Sequence, residues 1–163
     1  MKIKAITAAI LLCIATGTRA HAFGVGAQFN FSAGKIFAPG ASLLISPKDT
    51  THIAVNWYID FDKTSIIGLT LDLCPLTLPI SKFGAGSFNF TLGVGLFTNL
   101  EFADEREFNG GLRIPVGLNL LLGKNVFEIF THAAPSFGVH FIPNLGLSKP
   151  FFPIAIGARL WFR

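Results

Sequence analysis

Phe152-Pro-Ile-Ala-Ile-Gly-Ala-Arg-Leu-Trp-Phe-Arg163 ends the chain, and its reading decides the fold class. Phe152, Ile154, Ile156, Ala158, Leu160 and Phe162 fall on one face, with Pro153, Ala155, Gly157, Arg159, Trp161 and Arg163 on the other. A strict period of two marks a strand, because a helix would scatter the apolar set around its circumference. From Phe152 to Phe162, residues rising about 3.3 Å each and tilted by about 40° span roughly 28 Å of height, close to a bilayer's apolar band. One apolar face and one small, polar face suit a strand between lipid and a narrow lumen.

The same alternation recurs upstream. Phe23, Val25, Ala27, Phe29 and Phe31 alternate with Gly24, Gly26, Gln28, Asn30 and Ser32 in a first strand. A short second strand covers Ala41 to Ser46. In the third, Ile53, Val55, Trp57, Ile59 and Phe61 alternate with His52, Ala54, Asn56, Tyr58 and Asp60. The fourth runs from Ile67 to Cys74, the fifth from Phe88 to Phe97, the sixth from Leu112 to Leu122 and the seventh from Val126 to Ala133. Pro47-Lys48-Asp49, Asp62-Lys63-Thr64 and Gly123-Lys124-Asn125 read as tight turns. Ala33–Gly40, Pro75–Gly86, the charge-dense Glu101–Asn109 and Ala134–Pro150 read as longer connections. The expected turn at Asp62 pairs Ile59 with Ile67.

Composition narrows the class further. Lys2 and Lys4, the apolar run Ala5–Ala15 and Ala20-His21-Ala22 have the layout of a secretory signal peptide over residues 1–22, leaving 23–163 as one domain. Removing it leaves ten basic against nine acidic residues, a net charge of +1, and takes away the main support for nucleic-acid binding. Cys74 is then the sole cysteine, which excludes an intramolecular disulfide framework. Charged residues make up 13% of the chain and hydrophobic ones 51%, about half the usual charge share, too little to coat a soluble surface easily. Beyond the leader no apolar run reaches helix-spanning length, so a closed sheet is the spanning structure that remains.

Together these point to an all-β chain, an eight-stranded antiparallel up-and-down transmembrane β-barrel. The leader, the alternating strands and the terminal Ile154, Ile156, Ala158, Leu160, Phe162 series resemble the small eight-stranded bacterial outer-membrane barrels of the OmpA, OmpX and OmpW-like class. The resemblance implies an outer-membrane location, contact with outer-membrane lipid, and recognition of the last strand by the barrel assembly machinery. In that class the last strand commonly ends on an aromatic residue; here Arg163 follows Phe162.

Three lumen charges stand out: Asp72, Glu128 and Arg159. Pairing Ala134 near Phe151 sets Glu128 opposite Gly157 and one diagonal step from Arg159, within ion-pair reach, with Asp72 at similar depth. Such a cluster plugs a narrow lumen, since an unpaired buried charge is costly. Arg113 is expected near the opposite rim, apart from them. His132 and Ser136 are a weak alternative as base and nucleophile for an enzyme acting on lipid A acyl chains, because a nucleophile needs a base within hydrogen-bond reach. A small barrel that binds or transports hydrophobic ligands is a further alternative. No metal or cofactor motif appears. The expected role is a monomeric, non-enzymatic structural or surface-interaction barrel or narrow channel, with partner contacts on loops 101–109 and 137–149.

Overall fold

The computed structural model describes residues 22–33, 39–59, 65–102, 106–148 and 150–162. The expected leader, apart from Ala22, and the turn at 62–64 lie outside them. Among the described residues eleven strands form one antiparallel sheet: β1 (Phe23–Ala33), β2 (Pro39–Lys48), β3 (Thr51–Ile59), β4 (Ser65–Phe83), β5 (Gly86–Phe102), β6 (Arg106–Arg113), β7 (Val116–Leu122), β8 (Phe127–Ala133), β9 (Ser136–Ile142), β10 (Gly146–Leu147) and β11 (Phe152–Phe162). Three of the barrel's strands are interrupted. β6 and β7 form one strand broken at Ile114-Pro115, and both pair with β5. β8 and β9 form the next, broken at Ala134-Pro135. β10 and β11 form the last, which returns to β1 and closes the sheet. The result is an eight-stranded antiparallel barrel. At the paired breaks the proline carbonyls still accept: Gly93 N–H donates to Pro115 O at 2.9 Å and Ile114 N–H to Pro135 O at 3.0 Å. That is how Pro115 fits inside a central strand.

Strand register fixes the barrel's dimensions. Lys82 pairs with Ser87, Ser87 with Leu121, Leu121 with Glu128, Glu128 with Arg159, Arg159 with Gly26, Gly26 with Leu44, Leu44 with Ala54 and Ala54 with Thr70. One circuit therefore returns to β4 twelve residues upstream. Two are extra residues at irregularities, between Leu73 and Leu76 and between Pro79 and Ser81, so the net stagger is ten. Ten residues of about 3.3 Å against eight strands about 4.8 Å apart give a tilt of about 40° and a radius of about 8 Å. A cylinder that narrow is filled by its own side chains.

The faces sort as alternation predicts. Phe29, Leu43, Val55, Trp57, Leu69, Val94, Leu96, Leu112, Ile156 and Phe162 are exposed on the outside, while Asn30, Ser42, Asn56, Asp72, Arg113, Glu128 and Arg159 are buried within. The inversion of the usual polar-out rule runs round the barrel.

Several expected boundaries are corrected. Pro75–Gly86 is strand and turn: β4 runs to Phe83 and a two-residue turn, Gly84-Ala85, leads into β5. Gly84 has φ +34° in the first turn position, where two-residue hairpins favour glycine. Pro75 and Pro79 lack N–H groups, and with the irregularities they break the pattern without ending the strand. β5 pairs with β4 down to Phe83, but on the β3 side no described strand pairs with β4 beyond Leu73, and the last contact there is Cys74 N–H to Thr50 O. This edge carries two prolines, the irregularities and Lys82, devices that discourage edge-to-edge association. Glu101–Asn109 is mostly strand, with Glu101 opposite Glu107. Phe137–Ile142 belongs to β9. Finally, Ile67 pairs with Trp57, and Ile59 with Ser65.

Candidate functional site

The lumen is the chemically distinct region, and its side chains lie in layers. Toward the end that carries the short turns Asp49-Thr50 and Gly84-Ala85, Glu128 and Arg159 are direct cross-strand partners on β8 and β11. Arg159 Nη1 lies 3.2 Å from Glu128 Oε2. Trp161 Nε1 donates to the same oxygen at 2.7 Å and Asn119 Nδ2 to Oε1 at 2.9 Å. Three donors thus serve one carboxylate. The guanidinium also lies 4.8 Å from the Phe130 ring centroid and 5.2 Å from that of Trp161. The direct pairing corrects the expected diagonal one: Ala134 N–H meets Pro153 O, two residues beyond Phe151.

A second ion pair sits beside the first. Asp72, Gly95 and Arg113 occupy one row across β4, β5 and β6. Gly95 has no side chain, so Arg113 reaches over it and places Nε 3.1 Å from Asp72 Oδ1. The expectation that Arg113 stays apart near the far rim is overturned. Its strand begins at Arg106, which leaves Arg113 well below the strand's start. Both pairs are almost fully enclosed.

Two histidines complete the layer, and neither was expected in it. Arg159 Nη1 donates to His52 Nδ1 at 3.0 Å, and Arg113 Nη2 donates to His132 Nε2 at 3.3 Å. Guanidinium groups only donate, so each facing ring nitrogen is the bare one. His132 stacks on Phe130 with centroids 5.9 Å apart, and Phe130 lies against Arg159. A continuous contact path therefore joins Asp72, Arg113, His132, Phe130, Arg159 and Glu128. Inward positions on strands already read as amphipathic were the available signal.

Beyond this layer the lumen is filled. Gln28 Nε2 donates to Asn30 Oδ1, Asn30 bonds Ser42, and Ser42 Oγ donates to Asn56 Oδ1. Farther from the short-turn end, Tyr58, Ile66 and Phe97 are buried, and Phe97 meets Phe151 edge to face at 5.0 Å. Below, a cavity of about 50 Å³ is lined by Asp49, His52, Cys74, Thr77, Glu128 and Arg159 among others. It has room for a few waters, which the otherwise unbonded Arg159 Nε and Gln28 Oε1 can use.

The weak catalytic pair does not come together. Ser136 Oγ donates to Ala134 O at 2.8 Å, and the His132 Nε2 edge is occupied by Arg113. Among the described residues no group of three or more metal-ligating side chains occurs. Gly95 offers a test of this layer: a β-carbon there would lie 3.1 Å from Arg113 Cγ and closer still to the Asp72 carboxylate. Gly95→Val is expected to lower unfolding free energy by about 1–3 kcal/mol through overpacking, measured by urea titration, while Gly146→Ala, where a β-carbon meets nothing within 4 Å, costs less.

No family model matches the chain, and no curated protein matches it. Among solved structures, the N-terminal β-barrel domain of Pseudomonas aeruginosa OprF is 14% identical, with 87% of this chain and 98% of that one covered and a TM-score of 0.40. Neisserial surface protein A is 10% identical, with 86% and 96% covered and a TM-score of 0.46. The barrel assignment rests on the strand register given above.

Proposed function

We propose that the chain is an integral outer-membrane barrel of a diderm bacterium, with a structural or surface-interaction role and a lumen sealed by a charged plug. The observation that carries this reading is the inside-out partition: the barrel's outer surface is apolar while Asp72–Arg113 and Glu128–Arg159 are enclosed. A soluble barrel would gain nothing from an outer face of Phe, Leu, Ile and Val, whereas lipid requires it. The interior supports a plug over a pore, because the ion-pair layer is backed by an amide layer and an aromatic layer. On this reading the outward row of β11, Phe152 to Phe162, serves as the signal for membrane assembly.

The folded protein is expected to need detergent and to shift in gel mobility between boiled and unboiled samples. Solubility without detergent together with an unchanged mobility would sink the membrane reading. In planar bilayers the native protein should give no conductance steps, and Arg113→Ala/Arg159→Ala should stay closed too, because the amide and aromatic layers still fill the lumen. Steps from the native protein would overturn the plug.

A further inference from the structure

The hairpin formed by β9 and β10 extends the barrel wall at the end opposite the short turns. In place of the solvated surface of a binding loop it presents an unbroken apolar outer face. Phe137 is paired with Leu112, Val139 with Gly110 and with Leu147, and the Phe141 and Phe108 rings meet at 5.5 Å. Leu145 and Leu147 are 79% and 87% exposed, the most exposed large hydrophobic side chains among the described residues. Polar and charged groups at the same level turn the other way: His140 is paired with Asn109 and lies 3.7 Å from Glu107. The inside-out alternation of the barrel wall therefore continues into this hairpin.

We infer that the outer face of the β9–β10 hairpin, with Leu145 and Leu147 at its edge, lies in the acyl chains of the outer leaflet. The inference rests on the membrane reading above and adds where the lipid boundary falls. Phe127, at the short-turn end of the same wall, is paired with Leu122 and Leu160. Val139 is twelve residues farther along the strand. At about 2.5 Å of height per tilted residue this rise is about 30 Å, one hydrocarbon thickness. Leu147, opposite Val139, sits at the upper margin of that band and continues the lipid-facing surface. A partner protein would be expected to meet polar groups along such a face, and the outward positions of the hairpin strands, Phe137, Val139, Phe141 and Leu147, offer none, the exposed Asn144 lying in the turn above them.

Tryptophan quenching in vesicles of phosphatidylcholine with brominated acyl chains tests this. Trp57 is 55% exposed on the outer wall and Trp161 is buried in the lumen, so the native protein carries its own reference pair. Native protein should lose emission in these vesicles and Trp57→Phe should not. Adding Leu147→Trp to Trp57→Phe should restore the loss, with little quenching by aqueous acrylamide. If the native protein is quenched and the Leu147→Trp protein is not, the inference is overturned while the membrane reading stands. If acrylamide quenches the new indole, the hairpin is in water, and resistance to both quenchers means a protein covers it; either result overturns the inference. If native Trp57 itself escapes the bromines, the membrane reading falls. Leu145→Trp supplies a second probe should the Leu147 variant fail to fold.

Discussion

Arg159→Ala is expected to lower the unfolding free energy of the barrel in lipid vesicles by about 3–5 kcal/mol, the usual cost of leaving one member of a buried ion pair alone. Glu128 would keep Trp161 and Asn119 as donors, but both are neutral and the carboxylate's charge would have no counter-ion in its pair. The deletion also removes the group stacked on Phe130 and bonded to His52. Glu128→Ala should cost a comparable amount, because it strands the guanidinium. Replacing both together, as Glu128→Gln/Arg159→Met, should recover much of the loss, since a well-packed neutral pair of similar volume carries no desolvation cost. The check is a double-mutant cycle in urea, read by tryptophan emission and gel mobility. Additive single-mutant effects would show that the two side chains do not act as a pair. A parallel cycle on Asp72 and Arg113 should couple more weakly, because that contact has an ion-pair distance without an aligned hydrogen bond.

The two faces of the wall were legible in the sequence, whereas the exact register was not, and one cause explains both. Alternation has a period of two, so sliding a strand by two residues preserves every inside and outside assignment. This is why Glu128 was expected opposite Gly157 when it faces Arg159, and Ile59 opposite Ile67 when it faces Ser65. The lower half of β4 was missed for a different reason. Leu71 and Leu73 are followed by Leu76, Leu78 and Ile80, two alternating rows out of phase by one, which is the trace of an inserted residue at Cys74-Pro75. Reading proline as a terminator hid that trace. At 101–109 the density of charge suggested a loop, yet Phe102 and Phe108 keep the outward phase while Glu101 and Glu107 face one another. The histidines at positions 52 and 132 were visible as inward residues, but their arginine partners depended on register and on the missing side chain of Gly95.

Leu71→Arg is expected to cost about 2–4 kcal/mol in a bilayer, the depth-dependent penalty for a charge on the lipid face near the midplane. Leu71 lies between Ile53 on β3 and Leu96 on β5, with Leu69 and Leu73 next along the same face. All four of these neighbours are apolar, and the guanidinium has no inward route because the opposite face of β4 is filled by Thr70 and Asp72. Phe83→Arg, at the end of the same strand, should cost about 0–1 kcal/mol, as expected near an interface. Both positions are exposed, at 37% and 45%, so a water-soluble barrel would accept either change with little difference. The contrast between the sites therefore isolates lipid depth from packing. Urea-induced unfolding in vesicles measures it, and the same pair compared in short-chain detergent serves as a control with a thinner apolar phase. Equal costs at both positions in vesicles would mean that hydrocarbon does not surround this wall. A gradient from Leu71 to Phe83 would place the apolar phase against β4 and tie the outward residues of the sequence to the solvent that selects them.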